Sequence, residues 1–212
     1  MEFKDKKVVV LAPHTDDGEL GCGATIAKIL DEGALVYYVA LSTAEQSVPD
    51  GFPKNRLEIE VKKATSALGI AESNLFIFKH EVRKLNYVRQ EILESLVEIR
   101  NNIQPDIVFL PSSKDIHQDH LTVMQEGIRA FKYSTILGYE LIWNNLSFDT
   151  DCFIKITQDQ LDRKITALKC YKTQEGKAYM NSKFITSLAT VRGTQIGSRY
   201  AEAFELIRWI IE

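Results

Sequence analysis

Cysteine is scarce in this 212-residue sequence: Cys22, Cys152 and Cys170 form an odd, scattered set without a C-x-x-C pair. Their scarcity excludes a disulfide framework and suits a reducing compartment, with each thiol expected to serve as a small buried hydrophobe. Long apolar runs are missing as well. No stretch approaches the ~20 residues of a membrane span. The run from Val8 to Ala12 stops at Pro13, short of the ~7–15 residues of a signal-peptide core, so a soluble, cytoplasmic protein is the simplest expectation. Nor is positive charge in surplus. Lys and Arg number 26 against 29 Asp and Glu, a net −3, and nothing in the composition drives nonspecific nucleic-acid binding. Repeats, low-complexity tracts and Pro/Gly/Ser-rich linkers are absent. With 45% apolar and 26% charged residues, the chain has ordinary globular composition, and its length favours one domain over 1–212.

What is present is alternation. Lys7–Ala12, Leu35–Leu41, Leu75–Phe78 and Ile107–Leu110 are short apolar, β-rich runs expected as strands. Between them, Leu20–Leu30, Lys54–Leu68 and Tyr87–Ile103 carry apolar residues at helical spacing, closed by Gly33, Gly69 and Pro105. Strands alternating with helices predict an α/β fold: a Rossmann-like, mostly parallel sheet with helices on both faces. Apolar segments at Ile136–Trp143 and Cys152–Ile156, a helix over Gln158–Tyr171 and an amphipathic tail at Ala201–Ile211 extend the same domain. Open sheets of this kind place chemistry beyond the carboxyl ends of their strands.

Three of the four histidines fall at such ends. Pro13-His14-Thr15-Asp16-Asp17-Gly18 follows the first strand, and Asp115-Ile116-His117-Gln118-Asp119-His120 follows the fourth. Taken singly, Asp16 and Asp17 would be helix caps and the histidines ordinary loop residues. Taken jointly, they predict a mononuclear metal site. Imidazole and carboxylate suit Zn²⁺, although Fe²⁺ and Co²⁺ accept the same donors. His14 and Asp17 can converge on one ion from a turn entering a helix, with His120 as third ligand. Adjacent aspartates do not both ligate easily, which leaves one carboxylate free as a general base. His117, with Asp119 two residues on, resembles an imidazole held by a carboxylate and able to stabilise an oxyanion or protonate a leaving amine.

Other features carry less. Gly18, Gly21 and Gly23 are spaced G-x-x-G-x-G, not as a dinucleotide fingerprint, and no P-loop motif occurs; they are expected to permit close helix packing. His80 is expected as a solvated surface residue. Trp143 and Tyr87 could stack on a sugar ring, but core packing is the expectation for both.

These residues resemble the LmbE-like, or PIG-L-type, zinc-dependent N-deacetylases. That family's A-H-P-D-D-E-x-L-G-x-G-G-T-[IL]-A stands here as PHTDDGELGCGATIA, and its D-x-H-P-D-H as DIHQDH. Ser42-Thr43-Ala44-Glu45 is similar to its T-x-G-E. Arg56-Leu57-Glu58 resembles its R-x-x-E helix, and Lys164–Gln174 its K-x-x-A-L-x-x-[HY]-x-[ST]-Q helix. Arg192-Gly193 with Tyr200–Phe204 matches its closing R-G…Y-A-E-A-F. The resemblance implies one zinc on His14, Asp17 and His120, with Asp16 as general base. It makes His117 the electrophile or acid, supported by Asp119, and places Arg56 near the substrate. It further implies homo-oligomers and removal of acetyl from an N-acetylglucosamine unit. The alternatives are a zinc amidase for another acyl or thioconjugate amide, and a non-catalytic sugar- or nucleotide-binding protein. Thr15, Gly18, Ala44 and Gln118 depart from the motifs.

Overall fold

The structure is a computed structural model that describes residues 3–211. Its elements follow in chain order: β1 Lys7–His14, α1 Asp17–Asp31, β2 Leu35–Ser42, α2 Arg56–Leu68, β3 Leu75–Ile77, α3 Arg89–Ile103, β4 Ile107–Pro111, α4 Gln118–Ala130, β5 Thr135–Tyr139, β6 Cys152–Lys155, α5 Gln158–Leu168, α6 Ser182–Gln195 and β7 Ala201–Arg208. The sheet order is β3-β2-β1-β4-β5-β7-β6. The first five strands are parallel, and β7 runs antiparallel between β5 and β6.

Strand alternation divides the core in two. Val8, Val10 and Ala12 of β1 face a cluster shared with α1, α2 and α5. Val9 and Leu11 face the opposite cluster, with α3 and α4. A fully buried strand has to be apolar on both sides, which is why β1 is a continuous hydrophobic run. Helix ends follow local chemistry: α2 stops at Gly69, whose φ of 99° lets its N–H return to Ser66 and Thr65 carbonyls.

Three expectations need correction. The Ala201–Ile211 tail is mainly strand β7, because the free edge of β5 offers backbone partners that an isolated amphipathic segment lacks. Helices α4 and α6, unread in the sequence, occupy the stretch after the second histidine segment and residues Ser182–Gln195. His80 is half-buried and stacked on Phe78 at 5.9 Å, and its Nε2 has no partner. The cysteines are free thiols, Cys22 buried and the other two half-buried.

Chain connections run outward in both directions from β1 and β4, so the sheet has its topological switch point between these two strands. Ligands bind at such crevices in open α/β sheets. Both histidine segments flank this one.

Candidate active site and metal centre

The first segment is a strand end that turns directly into α1. Asp17 reaches back so that its Oδ2 accepts the His14 backbone N–H at 2.8 Å. Asp16 occupies the cap position but makes no side-chain capping bond, so its carboxylate is not used by the helix. Beneath the turn, the Tyr38 and Tyr171 hydroxyls lie within hydrogen-bond distance of the Thr15 carbonyl, at 2.9 and 2.7 Å. The buried Glu19 carboxyl contacts both hydroxyls. Burial lifts its pKa to about 8, against the pull of those two hydrogen bonds. Gly18 is required here, since a β-carbon would lie 2.6 Å from the Tyr38 ring. A β-carbon on Gly21 would enter the ring of Tyr139.

Helix α1 then breaks at Cys22, whose φ of −143° is not helical. A break strands a carbonyl on one side and N–H groups on the other. A buried ion pair satisfies both: Lys164 Nζ donates to the Leu20 carbonyl at 2.7 Å and to Glu202 at 2.6 Å. Glu202 in turn accepts from the Thr25 N–H at 2.7 Å and the Ala24 N–H at 3.3 Å. The Lys164 and Tyr-Ala-Glu-Ala-Phe motifs therefore meet in space behind the first turn.

The second segment is tied to itself. Asp115 accepts from the His117 N–H at 2.8 Å and bonds His120 Nδ1 at 2.7 Å. His117 Nδ1 accepts the Asp119 N–H at 3.2 Å. That bond leaves the proton of a neutral His117 on Nε2.

At the centre, His14 Nδ1, Asp17 Oδ2 and His120 Nε2 form a triangle with edges of 3.1, 3.2 and 3.3 Å. His117 stacks on His120 at 4.4 Å, and His14, His117 and His120 offer nitrogens within 4.8 Å of one another, a cluster able to hold a metal ion. The surrounding carboxylates favour positive charge on two of the imidazoles. Burial opposes protonation of His14 and His120, but Asp17 with Asp119, and Asp17 with Asp115, overcome it and raise them to about 9 and about 10. Burial also opposes ionisation of Asp17, yet His120 and His14 hold it well below the usual carboxylate range. Asp16 moves the other way, to about 6, through burial and the charge of Asp17. Burial, then His120 and His14, press His117 down to about 4.

Three sequence expectations change. The Asp119 carboxylate does not hold His117. It bonds His14 Nε2 at 2.9 Å and accepts the N–H groups of Arg83 (2.6 Å) and Leu85 (3.2 Å), because α4 turns its second residue inward toward β1. His117 is not poised as an imidazolium, since its surroundings favour the neutral ring. Arg56 does not reach the site. Its guanidinium bonds Glu60 at 2.8 Å, one helical turn along α2, and lies over Phe52. The cations that line the cavity are Arg83 and Lys177. Sequence reading missed Asp115, although it heads the DIHQDH motif. The cavity holds about 260 Å³ between His14, Asp16, His117, Trp143, Lys177 and Tyr179. A larger cleft of about 910 Å³, beside Arg100, Tyr133 and Trp209 at the opposite end of the sheet, contains no histidine.

A chain with this sheet and this constellation at its switch point falls in the class of Rossmann-like α/β proteins with a polar crevice whose side chains are able to hold a cation. Residues 9–131 match the family described as PIG-L: GlcNAc-PI de-N-acetylase, and the chain belongs to that family. It is 30% identical over 182 residues to the uncharacterized deacetylase YaiS of Escherichia coli (strain K12), covering 80% of this chain and 92% of that protein. The diacetylchitobiose deacetylase of Thermococcus kodakarensis is 25% identical over 231 residues, 97% of this chain and 85% of that one. The solved structure of N,N'-diacetylchitobiose deacetylase from Pyrococcus horikoshii superposes with a TM-score of 0.80 at 23% identity, over 95% and 84% of the two chains. Among the described residues, no helix is long and apolar enough to cross a membrane.

Proposed function

We propose that this protein is a metal-dependent hydrolase that removes the acetyl group from an N-acetylglucosamine-type sugar or glycoconjugate. The observation that carries this reading is the triangle of His14 Nδ1, Asp17 Oδ2 and His120 Nε2. Tetrahedral zinc with ligand bonds of about 2.0–2.1 Å separates its ligands by about 3.3–3.4 Å, close to the edges of this triangle. Two imidazoles and a carboxylate, each imidazole backed by a second carboxylate, are the donor set of a catalytic zinc with one position open.

When bound, such an ion would supply Lewis acidity and bring a water towards a pKa of ~7. Asp16, free of any capping bond, takes the proton of the attacking water and returns it to the departing amine nitrogen. Neutral His117 donates its Nε2–H to the acyl oxygen as negative charge builds there. Asp119 and Asp115 hold His14 and His120 in the ring orientation that the triangle needs. The family description and the name of the Thermococcus relative support an N-acetylated amino sugar as the substrate class.

The test is acetate release by zinc-quantified protein from a panel of N-acetylated sugars and non-sugar amides, with and without a chelator. Chelator-sensitive release from the sugars is expected. Release from other amides alone would move the activity to a different acyl group, and metal-free protein that bound sugar without hydrolysis would sink the enzyme reading. Asp16→Asn should lower turnover by about 10²–10⁴-fold with bound zinc unchanged; full activity would remove Asp16 from the role of base.

A further inference from the structure

Trp143 is expected in the core by its residue type, yet it is 37% exposed and lines the cavity that contains Asp16 and His117. It stands in the turn after β5, and that turn is rigidly indexed to the second histidine segment. Asn145 bridges to Asp115, and the Ile116 N–H donates to the Asn144 carbonyl at 3.1 Å. Asn145 Oδ1 closes the turn on the Leu141 N–H at 2.9 Å. The indole is backed by a ring from another loop: Tyr179 stacks on it at 4.1 Å with an interplanar angle of 16°, and Phe184 packs at 6.5 Å. Lys177 Nζ lies 5.6 Å from the Tyr179 ring centre. An aromatic surface preset in this way loses little freedom when something flat settles against it.

We infer that Trp143, backed by Tyr179, is the platform on which the pyranose ring of the substrate stacks, and that it selects ring amides over acyclic ones. This rests on the deacetylase reading and deepens it. A pyranose has one face of C–H groups and hydroxyls around its rim. Such a ring suits a cavity of about 260 Å³, below the ~300–1,000 Å³ of sites for drug-sized ligands, that has one aromatic wall and polar groups such as Asp16, Asn144 and Gln174 around it. Tyr87, the other aromatic considered from sequence, is 80% exposed outside this cavity, and Trp209 lies at the opposite end of the sheet.

The experiment compares N-acetylglucosamine with N-acetylethanolamine, an acyclic N-acetyl amine, in wild type, Trp143→Ala and Trp143→Phe. In Trp143→Ala, KM for the sugar should rise about tenfold, with kcat and the acyclic amide little changed, and Trp143→Phe should recover most of the loss. An unchanged KM for the sugar, or an equal loss for the acyclic amide, overturns the inference. A second measurement is independent of turnover. The chain has two tryptophans, so Trp209→Phe leaves Trp143 as sole indole, and N-acetylglucosamine should change its emission saturably. If wild type releases no acetate from the sugar, the deacetylase reading fails by itself. The emission titration then decides the platform: a saturable change supports it and a flat response overturns it.

Discussion

At the start of α4 the turn is closed by its own residues: Asp115 holds the His117 N–H and the His120 ring, and His117 caps the Asp119 N–H. At the start of α1 almost nothing is local beyond the Asp17 bond to His14. Thr15 is held by tyrosines from β2 and from beyond α5, and the break at Cys22 is bridged by Lys164 of α5 and Glu202 of β7. The same kind of strand-to-helix turn is thus positioned in one case by a six-residue motif and in the other by four distant segments. The placement of Asp16 and Asp17 therefore depends on the whole fold, whereas that of His117 and His120 depends mainly on their own loop. The two turns are coupled where the Asp119 carboxylate crosses to His14.

The sharpest way to test this division is to remove a donor from each turn. His14→Ala and His120→Ala should each lower bound zinc from about one per chain to less than about a tenth, and kcat/KM by on the order of 10⁴. Elemental analysis that found zinc retained in either variant would break the shared site. Next comes the remote brace. Lys164→Met strands the buried Glu202 carboxylate and should destabilise the fold by about 3–5 kcal/mol in urea unfolding. A loss within about 0.5 kcal/mol would mean that α1 is held locally after all. Smaller effects are expected from the supporting carboxylates. Asp115→Asn and Asp119→Asn should weaken zinc binding by about 10–100-fold each, measured by competition with a chromophoric chelator. If Asp119→Asn weakened binding no more than an exposed control did, the coupling between turns would be without consequence. The smallest effect belongs to the loop after β2, where Ala44 has a φ of 46° in a conformation that costs L-residues about 1–2 kcal/mol. Ala44→Gly should raise stability by roughly 0.5–1 kcal/mol, because glycine's larger unfolded-state entropy offsets part of the relief.

The legible parts of the fold are those with a strong local period. β1, β2 and β4 are apolar runs between breakers, and α2 and α3 carry regular apolar stripes. Helix α6 carries Phe184, Ile185, Leu188 and Ala189 at helical spacing, a stripe that the interspersed threonines and the exposed Val191 obscure. The β7 tail alternates weakly and becomes a strand only because β5 and β6 leave a slot for it. In the site, Asp16, Asp17, His14, His117 and His120 stood out as two dense clusters at strand ends. Arg56 was misplaced because its helix position was compatible with both the cavity and Glu60, and a partner four residues away captured it.

The sequence alone determined the alternation of strands and helices, the placement of the two histidine segments at strand carboxyl ends, and the residue types able to take a cation. These follow from interactions spanning a few residues, which periodicity and turn chemistry record directly. Only the tertiary structure decided which carboxylate backs which imidazole. Asp119 is two residues from His117 but bonds His14, 105 residues away, because the direction in which α4 turns its first carboxylate is set by packing between helix and sheet. The same packing moved Trp143 from the expected core to the wall of the cavity.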